Sequence, residues 1–204
     1  PERDYVAEYQ AGLEPVRVGR LVVAPSHRKV EAADGDAIIW LDPGSAFGTG
    51  HHETTRLALG ALGRLDLQGR TVLDVGSGTG LLTIAADVLG ATRAYGVDVD
   101  AATIPVAREN ARRNLSRARF AVGSVDLPTL PGLFDVVVAN LYAELHAQLM
   151  TDYARRLLPG GKLLLTGILT RLGDVVRESV AAGLTLDAEV QDGEWLLVEL
   201  TRTP

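Results

Sequence analysis

From residue 71 onward, short β-branched or apolar runs alternate with longer stretches of helical periodicity, and this alternation constrains the fold more than any other feature. Strands are expected at 71–75, 93–97, 119–122, 134–139, 161–166, 184–190 and 195–200. Helices are expected to fill the gaps at 52–62, 81–89, 101–114, 143–158 and 172–182. Strands separated by helices need crossover connections, and crossovers give a mostly parallel sheet with helices on its faces. The last two strands differ, because Gln191-Asp192-Gly193-Glu194 joins them and Asp-Gly favours a hairpin. The expectation is therefore an α/β fold on a seven-stranded, mostly parallel sheet with an antiparallel last strand.

The first 41 residues read differently. A short helix is expected at 4–10, then two small strands in the apolar stretches 20–24 and 37–41, broken by Pro15, Pro25 and Gly35. This divides the chain into a linker helix with small strands, 1–41, and a catalytic domain, 42–204. At 204 residues, 47% hydrophobic and 23% charged, the chain can bury a sizeable core. It has no cysteine, which removes disulfides, Cys-ligated metal centres and thiol nucleophiles. No apolar run approaches the ~20 residues that span a bilayer, and residues 1–10 lack a signal-peptide core, so a soluble, cytoplasmic protein is expected. A net charge of −6 disfavours a nonspecific grip on nucleic acid and suits a basic partner.

The chemistry starts at Val72-Leu73-Asp74-Val75-Gly76-Ser77-Gly78-Thr79-Gly80, a hydrophobic strand running into three glycines and then an apolar helix. Glycines at such a turn permit positive φ and close approach of a ligand, and the helix start offers free N–H donors. A dinucleotide fingerprint needs its third glycine where Leu81 stands, so the NAD reading fails there. After the next strand comes Asp98, placed to accept hydrogen bonds from ribose hydroxyls. Together these residues resemble the S-adenosylmethionine-dependent methyltransferases. The resemblance implies the Rossmann-like class I fold and S-adenosylmethionine as cofactor.

A second glycine-rich segment runs from Leu41 to Thr55, with Phe47, Gly48, Thr49, Gly50, His51 and His52 at its centre. It is too long and too particular for a turn. His52-Glu53 hints at a zincin, but position 56 is arginine where the second ligand belongs, so no metal is expected. A third element, Asn140-Leu141-Tyr142-Ala143, follows the fourth strand of the main sheet. Ligands of open α/β sheets bind outside the carboxyl ends of the strands, so all three elements are expected at one cleft.

The segment 42–55, the cofactor strand, and Ala139-Asn140-Leu141-Tyr142-Ala143-Glu144-Leu145 followed by Leu165-Thr166-Gly167-Ile168-Leu169 resemble the PrmA family, methyltransferases of large-subunit ribosomal protein L11. The resemblance implies methylation of lysine ε-amino groups and the N-terminal α-amine of that protein. It carries cofactor contacts onto Thr55, Gly76, Gly78, Gly80, Asp98 and Asn140, and puts Phe47, His52 and Asn140 at the methionine end and the substrate amine. Members of that family carry a separate N-terminal recognition domain joined by a linker helix, and this chain is expected to start at that helix, near residues 4–10, without the domain. A monomer with no direct nucleic-acid contact is expected. Alternatives are a methyltransferase for RNA or a small molecule, or a cofactor-binding module without catalysis.

Methyl transfer is an in-line displacement that chiefly requires positioning of an amine lone pair. Asn140 is expected to orient that amine through its side-chain oxygen, with Phe47 and Tyr142 available for cation–π contact. Relatives that modify adenine or glutamine carry Asn-Pro-Pro-Tyr where this chain has Asn140-Leu141-Tyr142-Ala143, so a tetrahedral amine is favoured over a planar one. His146 is expected to face solvent or cap its helix. Arg108, Arg112, Arg113, Arg117 and Arg119 are expected to form a solvated basic face.

Overall fold

The computed structural model describes residues 14–42 and 52–204. The helix expected at 4–10, and Phe47, lie outside the described residues. The chain begins with a small sheet of β1 (Val16–Val18), β2 (Leu21–Ala24) and β3 (Ala37–Trp40), in which β1 is antiparallel and β3 parallel to β2. Sequence reading missed β1. Three residues squeezed between Pro15 and Gly19 carry too little pattern, and the strand exists through its pairing with β2.

The main sheet is built from β4 (Thr71–Val75), β5 (Arg93–Asp98), β6 (Arg119–Val122), β7 (Phe134–Asn140), β8 (Leu157–Leu169), β9 (Leu184–Asp192) and β10 (Trp195–Arg202). Its spatial order is β6-β5-β4-β7-β8-β10-β9, and β10 alone runs opposite to the other six strands. Both expectations for this sheet are met, including the hairpin at Asp192-Gly193. The expected Rossmann-like fold follows from this order, and no described helix is long and apolar enough to cross a membrane.

Five helices are described: α1 (Glu53–Arg64), α2 (Leu81–Val88), α3 (Thr103–Arg113), α4 (Ala143–Arg156) and α5 (Gly173–Glu178). The last is shorter than expected. A 3₁₀ turn occupies Thr170–Leu172, and Ser179 donates its hydroxyl back to the Val176 carbonyl at 2.8 Å, offering the chain an exit from the helix. Strand β8 starts four residues earlier than the expected 161, because Leu157 pairs with Phe134 before the ladder shifts register.

Period-2 alternation divides the core. Val72, Val136 and Val138 face one cluster with α1, α2 and α3, whereas Leu73, Val75, Val137 and Ala139 face another with Met150 and Tyr153 of α4. Leu21, Val23 and Ile39 of the small sheet pack in the first cluster with Leu59 and Leu62 of α1 and Ile84 of α2. The small sheet thus shares a core with the main one.

Between β4 and β7 the winding direction of the sheet reverses, which opens a crevice past their carboxyl ends. Val75 lies opposite Val97 on one side and Ala139 on the other. One residue further along, Gly76 is therefore flanked by Asp98 and Asn140.

Gly80 caps α2 with φ 83°, and a Cβ there would stand 2.8 Å from Phe120 Cζ and 3.0 Å from Ala107 Cβ. Gly80→Ala should lower unfolding free energy by about 2 kcal/mol or more, from left-handed strain plus overpacking, as read by urea denaturation.

Candidate functional site

A cleft of about 510 Å³ lies at this crevice, lined by Thr55 from α1, Gly76 and Gly78 from the loop after β4, Asp98 from β5 and Asn140 from β7. Five of the residues singled out from sequence therefore meet at one place. Gly80 and His52 do not line the cleft: Gly80 packs on Phe120, and His52 caps α1.

The glycine loop is shaped by its dihedrals. Gly76, Gly78 and Gly80 have φ of 79°, 49° and 83°. At Gly76 a Cβ would come 2.6 Å from Leu141 Cδ2, so glycine is needed for the close approach as well as the turn. The amides of Gly76 and Ser77 both donate to the Val97 carbonyl, at 2.8 and 3.0 Å, which anchors the loop to β5. The Asp98 carboxylate accepts from the Gly78 amide at 2.8 Å through Oδ2 and from the Asp100 amide at 2.9 Å through Oδ1. It is thereby held at the cleft wall with acceptor capacity to spare.

Asp74, fully buried beneath the loop, accepts from the Thr83 amide at 3.1 Å and the Thr83 hydroxyl at 2.7 Å through Oδ2, while Oδ1 has no partner. Burial pushes its carboxyl up to about 7; the bonds from Thr83 oppose that rise and the nearby Asp98 adds to it. Ser77 lines the cleft with a buried hydroxyl that likewise has no partner.

Opposite stands Asn140. Its Nδ2 donates to Thr54 Oγ1 at 3.2 Å and to Thr55 Oγ1 at 3.5 Å. The Thr54 hydroxyl lies 2.9 Å from His52 Nδ1, which also accepts from the Thr54 amide at 3.3 Å. The His52 ring meets Trp195 edge-on at 4.9 Å. A chain from Asn140 through Thr54 to His52 thus fixes which way the Asn140 amide points. Its Oδ1 lies against Gly167, where any Cβ would come within 2.8 Å, and among the described residues no donor is bonded to it.

Thr54 escaped sequence reading although it sits beside Thr55. Only the pairing of α1 with the end of β7 reveals its role.

His146 is a correction. Expected at the surface or as a cap, it is completely buried, with Nε2 2.8 Å from the Thr166 carbonyl and Nδ1 3.4 Å from the Tyr153 hydroxyl. Burial lowers its imidazole to about 4, against the pull of the Thr166 and Leu141 carbonyls, so it is neutral. The signal was available: Ala143, His146, Met150 and Tyr153 recur at helical spacing and form the inner face of α4.

Tyr142, 59% exposed, sits outside the cleft and precedes α4, while Leu141 takes the place at the wall. The basic stretch is tied to acids: Arg112 pairs with Glu109, Arg113 with Asp42 and Arg117 with Asp87. Among the described residues no group of three or more histidine, aspartate or glutamate side chains is placed to hold a metal.

The family described as ribosomal protein L11 methyltransferase (PrmA) matches residues 1–203. A Deinococcus radiodurans protein named ribosomal protein L11 methyltransferase is 46% identical over 213 residues, covering 98% of this chain and 78% of its own. A Thermus thermophilus protein of the same name is 46% identical over 202 residues, with the same coverage. Among solved structures, a ribosomal protein L11 methylase from Lactobacillus delbrueckii subsp. bulgaricus superposes with a TM-score of 0.81 at 29% identity, over 94% of this chain and all of that one.

Asp74 and His146 set opposite pH dependences. A carboxyl raised on folding penalises the folded state once the unfolded chain ionises, so its cost grows as pH rises from about 4 to about 7. An imidazole lowered on folding loses stability as pH falls from about 6.5 to about 4. Asp74→Asn should therefore gain stability relative to the parent as pH rises through 4–7, measured by urea unfolding across that range. A His146→Gln variant should lose less than the parent on acidification through 6.5–4.

Proposed function

The chain belongs to the ribosomal protein L11 methyltransferase (PrmA) family, and on that premise we propose that it transfers methyl groups from S-adenosylmethionine to amines of ribosomal protein L11. The acceptors are lysine ε-amino groups and the N-terminal α-amine. The residues present suit the donor: a glycine turn whose close approach to Leu141 leaves no room for a Cβ at Gly76, a buried Ser77 hydroxyl without a partner, and the Asp98 carboxylate on the cleft wall. Gly76 and Gly78 bring backbone against the donor, Asp98 accepts from its ribose hydroxyls, and Thr55 with Asn140 closes the opposite side. Gly80 serves the same loop by letting α2 start where it does. When bound, S-adenosylmethionine supplies an electrophilic methyl group on a sulfonium.

The protein's own work is positioning. A lysine amine must arrive neutral, and burial beside a positive centre favours loss of its proton. Asn140 Oδ1 accepts one amine hydrogen and so aims the lone pair across the cleft, without acting as a base. Thr54 and His52 hold that amide in place. The single observation carrying this reading is Asn140 itself, whose amide nitrogen is engaged by Thr54 and Thr55 while its oxygen keeps its accepting capacity.

The test is calorimetric titration with S-adenosylmethionine, then incubation with purified ribosomal protein L11 and intact-mass spectrometry. Donor binding with mass gains in methyl steps is expected; absence of donor binding overturns the proposal. Asn140→Ala should lower turnover about a hundredfold while changing donor affinity by only about threefold, because its oxygen acts on the amine. Asp98→Ala should do the reverse, weakening donor binding about tenfold or more.

A further inference from the structure

Asn110, on the inner side of α3, lines no part of the cleft, yet it is 1% exposed and both ends of its amide are bonded. A position that only had to pack would take an aliphatic residue, as Ile104, Ala107 and Ala111 do on the same helix. A buried amide is tolerated when its bonds are made, and these bonds join two parts of the molecule. Nδ2 donates to the carbonyl of Thr79 at 3.0 Å, within the glycine loop. Oδ1 accepts from the amide of Asp42 at 3.2 Å, two residues past the end of β3, and from Arg113 Nη1 at 3.1 Å.

Asp42 is itself firmly held. Its carboxylate accepts from the Ser26 amide at 3.0 Å and hydroxyl at 2.6 Å and pairs with Arg113 at 3.2 Å. Burial acts to raise this carboxyl, but the Ser26 bonds and the Arg113 charge keep it below the usual carboxylate range. One turn along α3, Asn114 clasps Trp40 from both sides, accepting from its amide at 2.8 Å and donating to its carbonyl at 2.7 Å. Both asparagines read the end of the small sheet. Asn110 differs in that its amide continues into the glycine loop.

We infer that Asn110 is a positioning residue of the donor site, locking the Thr79 peptide of the glycine loop to Asp42 at the end of the small sheet. This rests on the reading of the cleft as the S-adenosylmethionine site. A loop with three positive-φ glycines has little stiffness of its own, so the direction of its amides depends on what its peptides are bonded to. Thr79 is buried and lines the cleft beside Gly78, so a shift of its peptide by a fraction of an ångström misaims the Gly78 backbone.

The test is calorimetric titration of the full chain with S-adenosylmethionine, for wild type, Asn110→Asp and Asn114→Ala, with thermal melting of each. Asn110→Asp keeps the shape but loses the donor to Thr79. It should weaken donor affinity by about tenfold or more, with turnover at saturating donor within about threefold of wild type. Asn114→Ala loses two bonds to Trp40 and should melt earlier, yet bind the donor within about twofold of wild type. If Asn110→Asp does not fold, Asn110→Ser is judged by the same criterion. Donor affinity within about twofold in the Asn110 variant, or an equal loss in Asn114→Ala, overturns the inference while leaving the donor-site reading intact. A wild type that binds no donor overturns that reading and, with it, this one.

Discussion

Parallel pairing of β4 with β7, with Val75 opposite Ala139, is the constraint on which the site depends. At that seam the sheet reverses its winding, so the loops on either side diverge and leave a crevice. The same register sets Gly76 between Asp98 and Asn140 to within one residue. A slip of β7 by one residue would turn Asn140 to the other face of its strand and remove that polar group from the cleft. The buried aliphatic side chains on both faces of β4 and β7 make such a slip costly, and the core therefore sets the geometry of the chemistry.

Two buried ionisable groups sit beneath the two walls, and both are neutral over part of the working pH range. Asp74 supports the glycine wall through Thr83, and His146 ties the ends of β7 and β8 through the Thr166 carbonyl. Each costs desolvation, which a leucine in its place would not, and each returns a fixed backbone direction next to the cleft. At the Asn140 wall the same economy appears in amide and hydroxyl form, where two threonine hydroxyls and a capping histidine orient one amide. Since methyl transfer needs aim more than acid–base power, a wall whose amide is oriented by hydroxyls suits it.

The small sheet is bound to this machinery by apolar packing and by two asparagines on one helix face. Leu21, Val23 and Ile39 share a core with α1 and α2, and Asn110 and Asn114, spaced i and i+4, bond the chain at the end of β3. Position 42 is therefore held against the glycine loop, with its acid paired to Arg113 and Ser26. The expected solvated basic face is present in Arg112 and Arg117, both about three-quarters exposed, while Arg113 pairs with Asp42 and so ties the helix to the end of the small sheet.

Local sequence determined the elements and the chemistry of their ends. Period-2 runs made seven strands, Asp192-Gly193 made the hairpin that turns the last one antiparallel, and the glycine loop with Asp98 and Asn140 announced a cleft at the carboxyl edge. These are short-range properties: backbone freedom at glycine, turn preference and strand alternation act within a few residues. The tertiary structure decided what depends on partners distant in the chain. It made a strand of Val16–Val18, buried His146 against Thr166, placed Gly80 against Phe120, and put Thr54 rather than Thr55 alone under the Asn140 amide. In each case a side chain's role is set by the hydrogen bond or the packing surface it meets, and residues 20 or more positions away supply that surface for His146, Gly80 and Thr54.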